Sequence, residues 1–426
     1  MKNTLLALYK TAVDTAHPSR CLPAHLPPVP PNGRIIIIGA GKANAAMAVA
    51  AEAHYAMSVT AGRFGGFVTT RHGFTLPTQV LEIIEAAHPV PDQHSVSGAA
   101  RAIAAAQSAG PDDLVLVLLS GGASALWCQP VDGVSFDAKQ ALTKQLLRAG
   151  APIGEMNVVR KHLSRIKGGK LAAAAYPARL LTLAISDVPG DEPSSIGSGP
   201  TVADPTTLAD ARAVLERWRI NPSPEIAAAL ANPANETTKA GDPALRNSTF
   251  KIVAAPKASL EAAAANARQL GYEIDALGDC LEGEAREVGQ AHAALARRAL
   301  SSGRRVAIIS GGEFTVTVTG SGRGGPNQEY ALALALGLQG TPGISAIAAD
   351  TDGIDGGSGS ADDPAGAFVF PDTLVRATAQ NLNAATFLAN NDSSRYFAAI
   401  SDLVQVGPTQ TNVNDFRLIL VDPQRI

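Results

Sequence analysis

The chain has 426 residues, more than one ordinary core of roughly 100 to 200 residues organises, so two domains are expected. Apolar residues make up 46% and charged residues 17%, which excludes global disorder. Lys and Arg number 35 against 38 Asp and Glu, a formal charge of −3; that balance supplies no basic field for nucleic acid and no acidic tail.

The first twenty residues lack the apolar stretch and A-x-A site of a signal peptide. Residues 5–16 carry apolar side chains at helical spacing and stop near Pro18, and five prolines between Cys21 and Asn32 make an extended connector. A pattern then recurs: a short apolar run that ends in a polar or glycine-rich loop. Residues 34–38 lead into Gly39-Ala-Gly41-Lys42, 66–70 into Arg71, 114–119 into Ser120-Gly121-Gly122, and 180–185 into Ser186-Asp187. Further on, 251–255 precede Pro256-Lys257, 306–309 precede Ser310-Gly311-Gly312-Glu313, and 344–349 precede Asp350-Thr351-Asp352-Gly353.

Such runs are expected of parallel strands buried on both faces, with covering helices at 43–56, 97–108, 137–149, 259–270 and 285–301. Residues 313–320 (EFTVTVTG) alternate Thr and Val, which predicts an antiparallel strand with one polar face. The expected architecture is α/β in two domains: an N-terminal one (1–236) with a mostly parallel sheet and helices on both faces, and a smaller C-terminal one (237–426) with a mixed sheet. The boundary follows the Pro- and Asn-rich stretch 220–243. No run approaches 18 uncharged apolar residues, so no membrane span is expected. Cys21, Cys128 and Cys280 are scattered, as in a reduced cytoplasmic protein. The eight histidines show neither HxxxH nor HExxH spacing, which argues against zinc or haem.

Ligands of open α/β sheets bind beyond the carboxyl ends of the strands, at helix N-termini. The loop Gly39-Ala-Gly41-Lys42-Ala43-Asn44 fails as a dinucleotide fingerprint, because Asn44 takes the third glycine's place and no acid closes the next strand. It also fails as a P-loop, because Ala43 stands where Ser or Thr belongs. What remains is a glycine turn, with Gly39 and Gly41, that places Lys42 beside an anion at a helix start. Arg71 could meet a 2′-phosphate, which keeps an NADPH reductase open. Ser120, Gly121, Gly122 and Ser124 offer N–H groups and hydroxyls for a phosphate or carboxylate; a hydrolase elbow is excluded by Leu126 in place of its closing glycine.

Five Lys and Arg fall in eleven residues from Arg160. Here Asn157, Arg160 and Lys161 are candidates for an anionic substrate, and the lack of aromatics argues against nucleic acid. Asp350-Thr351-Asp352 opens like a calcium loop, but Ile354 and Asp355 break the pattern. Asp352 and Asp191 are therefore candidate Mg²⁺ ligands and Asp187 a candidate base. Gly311, Gly312 and Glu313 form one more phosphate or nucleotide loop. Arg323 lies among four glycines, 320, 322, 324 and 325, and reads as an anion clamp. The loops that end six of these runs, all but 66–70, read together as one composite site. Two cations on glycine loops with several Asp at strand ends suit phosphoryl transfer.

These motifs also resemble a known family. GAGKA (39–43), HPVPD (88–92), SGGASAL (120–126), MNVVRKHLSRIKGGKLA (156–172), SDVPGDEPSSIGSGPT (186–201), SGGE (310–313), GRGGPNQE (322–329), DTDGIDG (350–356) and GPTQTNVNDFRLIL (407–420) follow the order seen in glycerate 2-kinases of the MOFRL type. Members of that family are also called hydroxypyruvate reductases of tartrate utilisation. The resemblance implies phosphorylation of D-glycerate on its 2-hydroxyl by ATP and Mg²⁺, giving 2-phosphoglycerate. It also implies a Rossmann-like N-terminal domain, a MOFRL-type C-terminal domain and an active site in the cleft, with the family's functional lysine and arginine falling on Lys42 and Arg323. Two departures stand out: Ala123 replaces the third glycine of SGGG, and 358–363 lengthens the link after DGIDG. The alternatives are an NAD(P)H-dependent hydroxypyruvate reductase and a non-catalytic binder of nucleotide or sugar acid. No nucleic-acid or membrane partner is expected, and a homodimer stays open.

Overall fold

The computed structural model describes residues 1–56, 62–357 and 360–423, so the first two residues of the lengthened link 358–363 lie outside the described residues. The chain forms two compact units: a central unit, Cys21–Val253, and a terminal unit made of Met1–Arg20 with Ala254–Ile426.

The central unit is built on a six-stranded sheet of β1 (Ile35–Ala40), β2 (Phe64–Arg71), β3 (Glu82–Ala86), β4 (Leu114–Leu119), β5 (Arg179–Ile185) and β6 (Ser248–Ala254), in the order β3-β2-β1-β4-β5-β6. The first five strands are parallel. This is the strand order of a Rossmann sheet. The innermost strands, IIIIGA and LVLVLL, are buried at every position, because helices cover both faces and alternation has no solvent side to serve. Ile36, Ile38, Val115 and Val117 pack with Ala99 and Ala102 of the helix Gln93–Gln107; Ile35 and Ile37 on the opposite face are equally buried. A second apolar cluster joins the helices Phe136–Ala149, Ile153–His162 and Leu208–Arg217 through Leu142, Leu146, Met156, Val159 and Leu215.

The terminal unit has a mixed six-stranded sheet of β7 (Glu273–Gly278), β8 (Val306–Ser310), β9 (Ile344–Asp350), β10 (Gly366–Val369), β11 (Leu403–Val404) and β12 (Asp415–Val421), in the order β11-β10-β9-β12-β8-β7. β7 and β8 are parallel, whereas β12 runs antiparallel to β8 and β9, and β10 antiparallel to β9 and β11. The helices Lys2–Ala16 and Pro256–Gln269 pack together in one apolar cluster, and Ala285–Ser301 with Pro326–Leu338 in another.

Three expectations differ from the fold. Residues 313–320 are not a strand. Phe314 is buried and Thr315, Thr317 and Thr319 are exposed, but Val318 is exposed as well, so the alternation does not sort two faces. Backbone pairing is confined to a bridge at Thr315 with the 283–285 segment; beyond it the Thr317 N–H donates to the Glu284 carboxylate and the N–H groups of Thr319 and Gly320 to Asn391 Oδ1, so side chains take the bonds a longer ladder would need. The run 251–255 does not open the second sheet but lies at the edge of the first, in β6. The expected boundary after Glu236 and the compact units divide the chain differently. The Pro- and Asn-rich stretch is fastened to the central unit: Thr238 N–H donates to Gly168 O (2.9 Å), Asp204 N–H to Thr238 O (2.9 Å), and the Glu236 carboxylate lies 2.9 Å from His162 Nε2. Residues 1–20, meanwhile, join the terminal unit.

Candidate functional site

In the central unit the connections from β1 and β4 leave in opposite directions along the sheet, which opens a crevice at their carboxyl ends. Two glycine loops meet there, and hydrogen bonds knit them together. Gly41 N–H donates to Thr69 O (3.1 Å), Lys42 N–H to Gly121 O (2.8 Å), Ala43 N–H to Ser120 Oγ (3.0 Å) and Asn44 N–H to Gly41 O (3.1 Å). Asn44 is fully buried; its Nδ2 donates to Leu118 O (2.9 Å) and its Oδ1 accepts from Ser120 Oγ (2.8 Å). Every N–H of the 41–44 loop is therefore satisfied within the protein, so none is left for a pyrophosphate. Gly39 and Gly41 serve this close approach: a Cβ would stand 2.3 Å from Asn44 Nδ2 at Gly39 and 2.0 Å from Ser120 Oγ at Gly41. The Ser120 hydroxyl, engaged on both sides, holds the loops rather than a ligand.

The neighbouring turn is different. Gly122 has φ +82°, and among the described residues no acceptor takes the N–H of Gly121 or Gly122, which leaves a small anion-facing nest. A Cβ on Gly122 would lie 3.0 Å from His88 Nε2 and 3.4 Å from Lys42 Cγ, so both side chains flank this turn. Lys42 is half-buried. His88 received no role from the sequence, although it opens the HPVPD motif that signals it.

Cations gather at the next residues. Ser124 Oγ lies 2.7 Å from Ser198 Oγ, Lys167 Nζ donates to Ser124 O (2.8 Å) and Oγ (3.1 Å), and Arg160 reaches Ser124 O (3.4 Å) and Asn157 Oδ1 (3.2 Å). Lys167 is almost fully buried, and burial first, then the Arg160 charge, pushes its pKa well below the ordinary lysine value. Burial also lowers the pKa of Arg160. Ser124, Asn157 and Arg160 thus come together, and Lys167, unassigned from sequence, joins them; its signal was its place directly before Gly168-Gly169 in the basic run. Lys161 does not. Its ammonium is buried against Asp204 Oδ1 at 3.2 Å, an ion pair that holds the fold.

Asp187 follows β5 at the same sheet edge, half-buried. Asp191 sits in the next turn with φ +55°, and its Oδ1 is buried without a hydrogen-bond partner among the described residues. An orphaned carboxylate oxygen suits a hard cation.

The terminal unit carries the remaining candidates. Gly311 N–H donates to Gly278 O (2.8 Å), and the carbonyls of Gly311 and Gly312 accept from Arg417 at 2.9 and 2.8 Å. Glu313 is exposed. Asp352 is buried and its Oδ1 accepts from Ile354 N–H (2.8 Å), so it closes its own turn. Asp355 accepts from the N–H groups of Asn327 (3.0 Å) and Gln328 (2.8 Å) at the start of the helix Pro326–Leu338. Burial and the Asp415 charge push its pKa up to about 7. The Arg323 loop is gripped through its backbone, Arg323 N–H donating to Asp392 Oδ1 (3.1 Å) and its carbonyl accepting from Ser394 N–H (2.9 Å). Its side chain is exposed, and no described residue accepts a bond from the guanidinium. Asp191 and Asp352, paired from sequence as metal ligands, lie in different units.

Residues 4–232 match a family described as a domain of unknown function (DUF4147), and 306–415 match the MOFRL family. An Agrobacterium vitis protein with a provisional hydroxypyruvate reductase name is 49% identical over 99% of this chain and 94% of its own length. The D-glycerate 2-kinase of Thermotoga maritima is 35% identical, over 99% of this chain and 98% of its own. A crystal structure of glycerate kinase from Thermotoga maritima superposes with a TM-score of 0.87 at 35% identity, covering 99% of both chains.

Proposed function

Because the chain belongs to the glycerate kinase family that joins a DUF4147 domain to a MOFRL domain, we propose that it transfers the γ-phosphoryl group of ATP to the 2-hydroxyl of D-glycerate. The products are 2-phosphoglycerate and ADP. The carrying observation is the concentration of positive charge around Gly122 and Ser124: Lys42 flanks the Gly122 turn, Arg160 and a buried Lys167 bond Ser124, and among the described residues no acceptor takes the N–H of Gly121 or Gly122. Such a place is stabilised by an anion, either the glycerate carboxylate or a phosphate.

In this reading Arg160 with Asn157 orients the substrate, Lys42 neutralises charge that spreads over the phosphoryl oxygens, and Asp187 accepts the proton of the attacking 2-hydroxyl; Arg323, on its glycine loop in the terminal unit, is an anion clamp. Asp191, rather than Asp352, is the carboxylate we assign to Mg²⁺, because its buried oxygen lacks a partner. The ion would neutralise phosphate charge.

The reductase reading draws on the names of the Agrobacterium relatives. The 41–44 loop offers it no free N–H for a pyrophosphate, and the Arg71 guanidinium lies 5.3 Å from the centroid of the Phe74 ring. The test is direct. With ATP, Mg²⁺ and D-glycerate the protein should release ADP, and the ³¹P resonance of the product should match 2-phosphoglycerate and not its 3-isomer. EDTA should stop turnover. NADPH oxidation with hydroxypyruvate, without ADP formation, would overturn the proposal.

A further inference from the structure

Away from the loops described above, the central unit brings together three metal-binding side chains that lie apart in the sequence. His72 is in the turn after β2, and Asp92 and His94 are at the start of the helix Gln93–Gln107. His72 Nε2 and His94 Nδ1 each lie 3.3 Å from Asp92 Oδ2, and the three ligand atoms all fall within 4.8 Å of one another. We propose that these residues bind one divalent transition-metal ion of the zinc class.

Three physical points favour this. First, 3.3 Å is long for an N–H···O hydrogen bond. Two ligands held at about 2.0 to 2.1 Å from a tetrahedral ion stand about 3.3 to 3.4 Å apart, so the two contacts match edges of a coordination tetrahedron. Second, the carboxylate is preset. Asp92 Oδ1 accepts from Ser95 N–H (2.9 Å) and Oγ (3.1 Å), and Ser95 Oγ in turn accepts from Asp92 N–H (3.2 Å). This capping box leaves Oδ2 as the oxygen turned towards both imidazoles. The turn that carries His72 is fixed as well, His72 N–H donating to Ala86 O (3.2 Å) and Gly73 N–H to Glu85 Oε1 (2.6 Å). Third, both imidazole side chains are more than half exposed, so each can turn the small amount that closes the triangle. Water can then fill the remaining position, as in open three-ligand sites.

The ligand set names the ion class. Imidazole nitrogens prefer Zn²⁺, Co²⁺, Ni²⁺ or Cu²⁺, whereas Mg²⁺ prefers oxygen and keeps its water. The site is therefore chemically separate from the Mg²⁺ position assigned to Asp191. Binding would tie the turn after β2 to the start of the helix and hold the segment that carries His88.

The test reads metal binding and does not depend on glycerate phosphorylation. Untagged full-length protein, stripped with EDTA and dialysed, is titrated with Co²⁺ and with Zn²⁺. One equivalent should bind, Co²⁺ should give the intense visible bands of a tetrahedral ion, Zn²⁺ should displace it, and millimolar Mg²⁺ should not. His72→Ala and His94→Ala should each weaken binding at least about tenfold, and the double variant should abolish the bands. Both positions are exposed, so thermal unfolding should be unchanged without metal. Binding that survives the double variant, a weak octahedral spectrum, or no binding at 100 equivalents of Zn²⁺ would each overturn the proposal.

Discussion

Lys167 donates twice to Ser124, its Nζ standing 2.8 Å from the carbonyl oxygen and 3.1 Å from the hydroxyl. The ammonium has neutral partners there, with Arg160 as its strongest charged influence, and burial heads the causes that depress its pKa. An anionic substrate at this point would favour the charged lysine, so ligand binding and protonation are linked.

That linkage gives the first prediction. As pH rises, Lys167 should lose its proton below the ordinary lysine range, and KM for glycerate should climb with it. Lys167→Arg should remove this climb, because guanidinium stays charged. Lys167→Met should raise KM about tenfold or more at every pH, in keeping with loss of a charge-assisted hydrogen bond. A pH-independent KM in the wild type would detach Lys167 from substrate binding.

Lys42→Ala and Arg323→Ala should each lower kcat/KM by about 10²-fold or more, the usual scale for a preorganised charge-stabilising donor. Arg323 is exposed, so its removal should change stability by no more than about 0.5 kcal/mol. Arg323→Lys should remain impaired, since a lysine lacks the planar fork. Steady-state kinetics beside urea unfolding separate the two effects; near-normal activity in either variant would remove that residue from the mechanism.

Asn44 is a structural clasp, not a ligand residue. Asn44→Ala strips Leu118 O and Ser120 Oγ of a buried partner and should destabilise the protein by about 1 to 3 kcal/mol. Urea unfolding should show a lower midpoint at unchanged m. A loss under about 0.5 kcal/mol would mean the two loops are held by other contacts.

His292 supplies a pH test in the terminal unit. Burial first, and the Arg417 charge second, push its pKa down to about 4, against about 6.5 in an unfolded chain. Between those values the unfolded chain holds the extra proton, so this contribution is complete above about pH 6.5 and is lost as pH falls towards 4. His292→Gln should reduce the loss of unfolding free energy between pH 7 and pH 5 by about 1 to 2 kcal/mol. An unchanged slope would show that His292 is protonated in the folded protein.

Much of the sheet was legible because β1, β4, β8 and β9 are apolar at nearly every position, a pattern that local sequence displays directly. Less visible was β12, whose run is interrupted by Arg417. That guanidinium is buried, ion-paired with Asp415, bonded to the Gly311 and Gly312 carbonyls and 3.4 Å from the Phe314 ring centroid. Asp415 is a near neighbour, but no local pattern reveals Gly311, Gly312 and Phe314, which lie far away in the sequence. The placement of β6 at the first sheet's edge is a question of pairing between distant segments, which composition does not encode. In the site, the glycine loops announced Lys42 and Gly122, but Arg160 and Lys161 look alike in sequence. Adjacent helical positions point about 100° apart, and that turn sends one towards Ser124 and the other to Asp204. His72, Asp92 and His94 escaped any spacing rule because they come from two elements.

The helix Lys2–Ala16 packs on Pro256–Gln269, and its Tyr9 hydroxyl donates to Asp350 O at 2.8 Å. During synthesis this helix leaves the ribosome some 240 residues before its partner, an interval of about 10 to 50 s at bacterial and eukaryotic elongation rates. In that time the central unit is complete and can close its sheet, while Leu5, Leu8 and Tyr9 still have no surface to cover. Chain order thus lets the middle fold first and both flanking segments follow together. Until then the leading helix is an apolar face on a nascent chain, the kind of transiently exposed surface that is prone to aggregation.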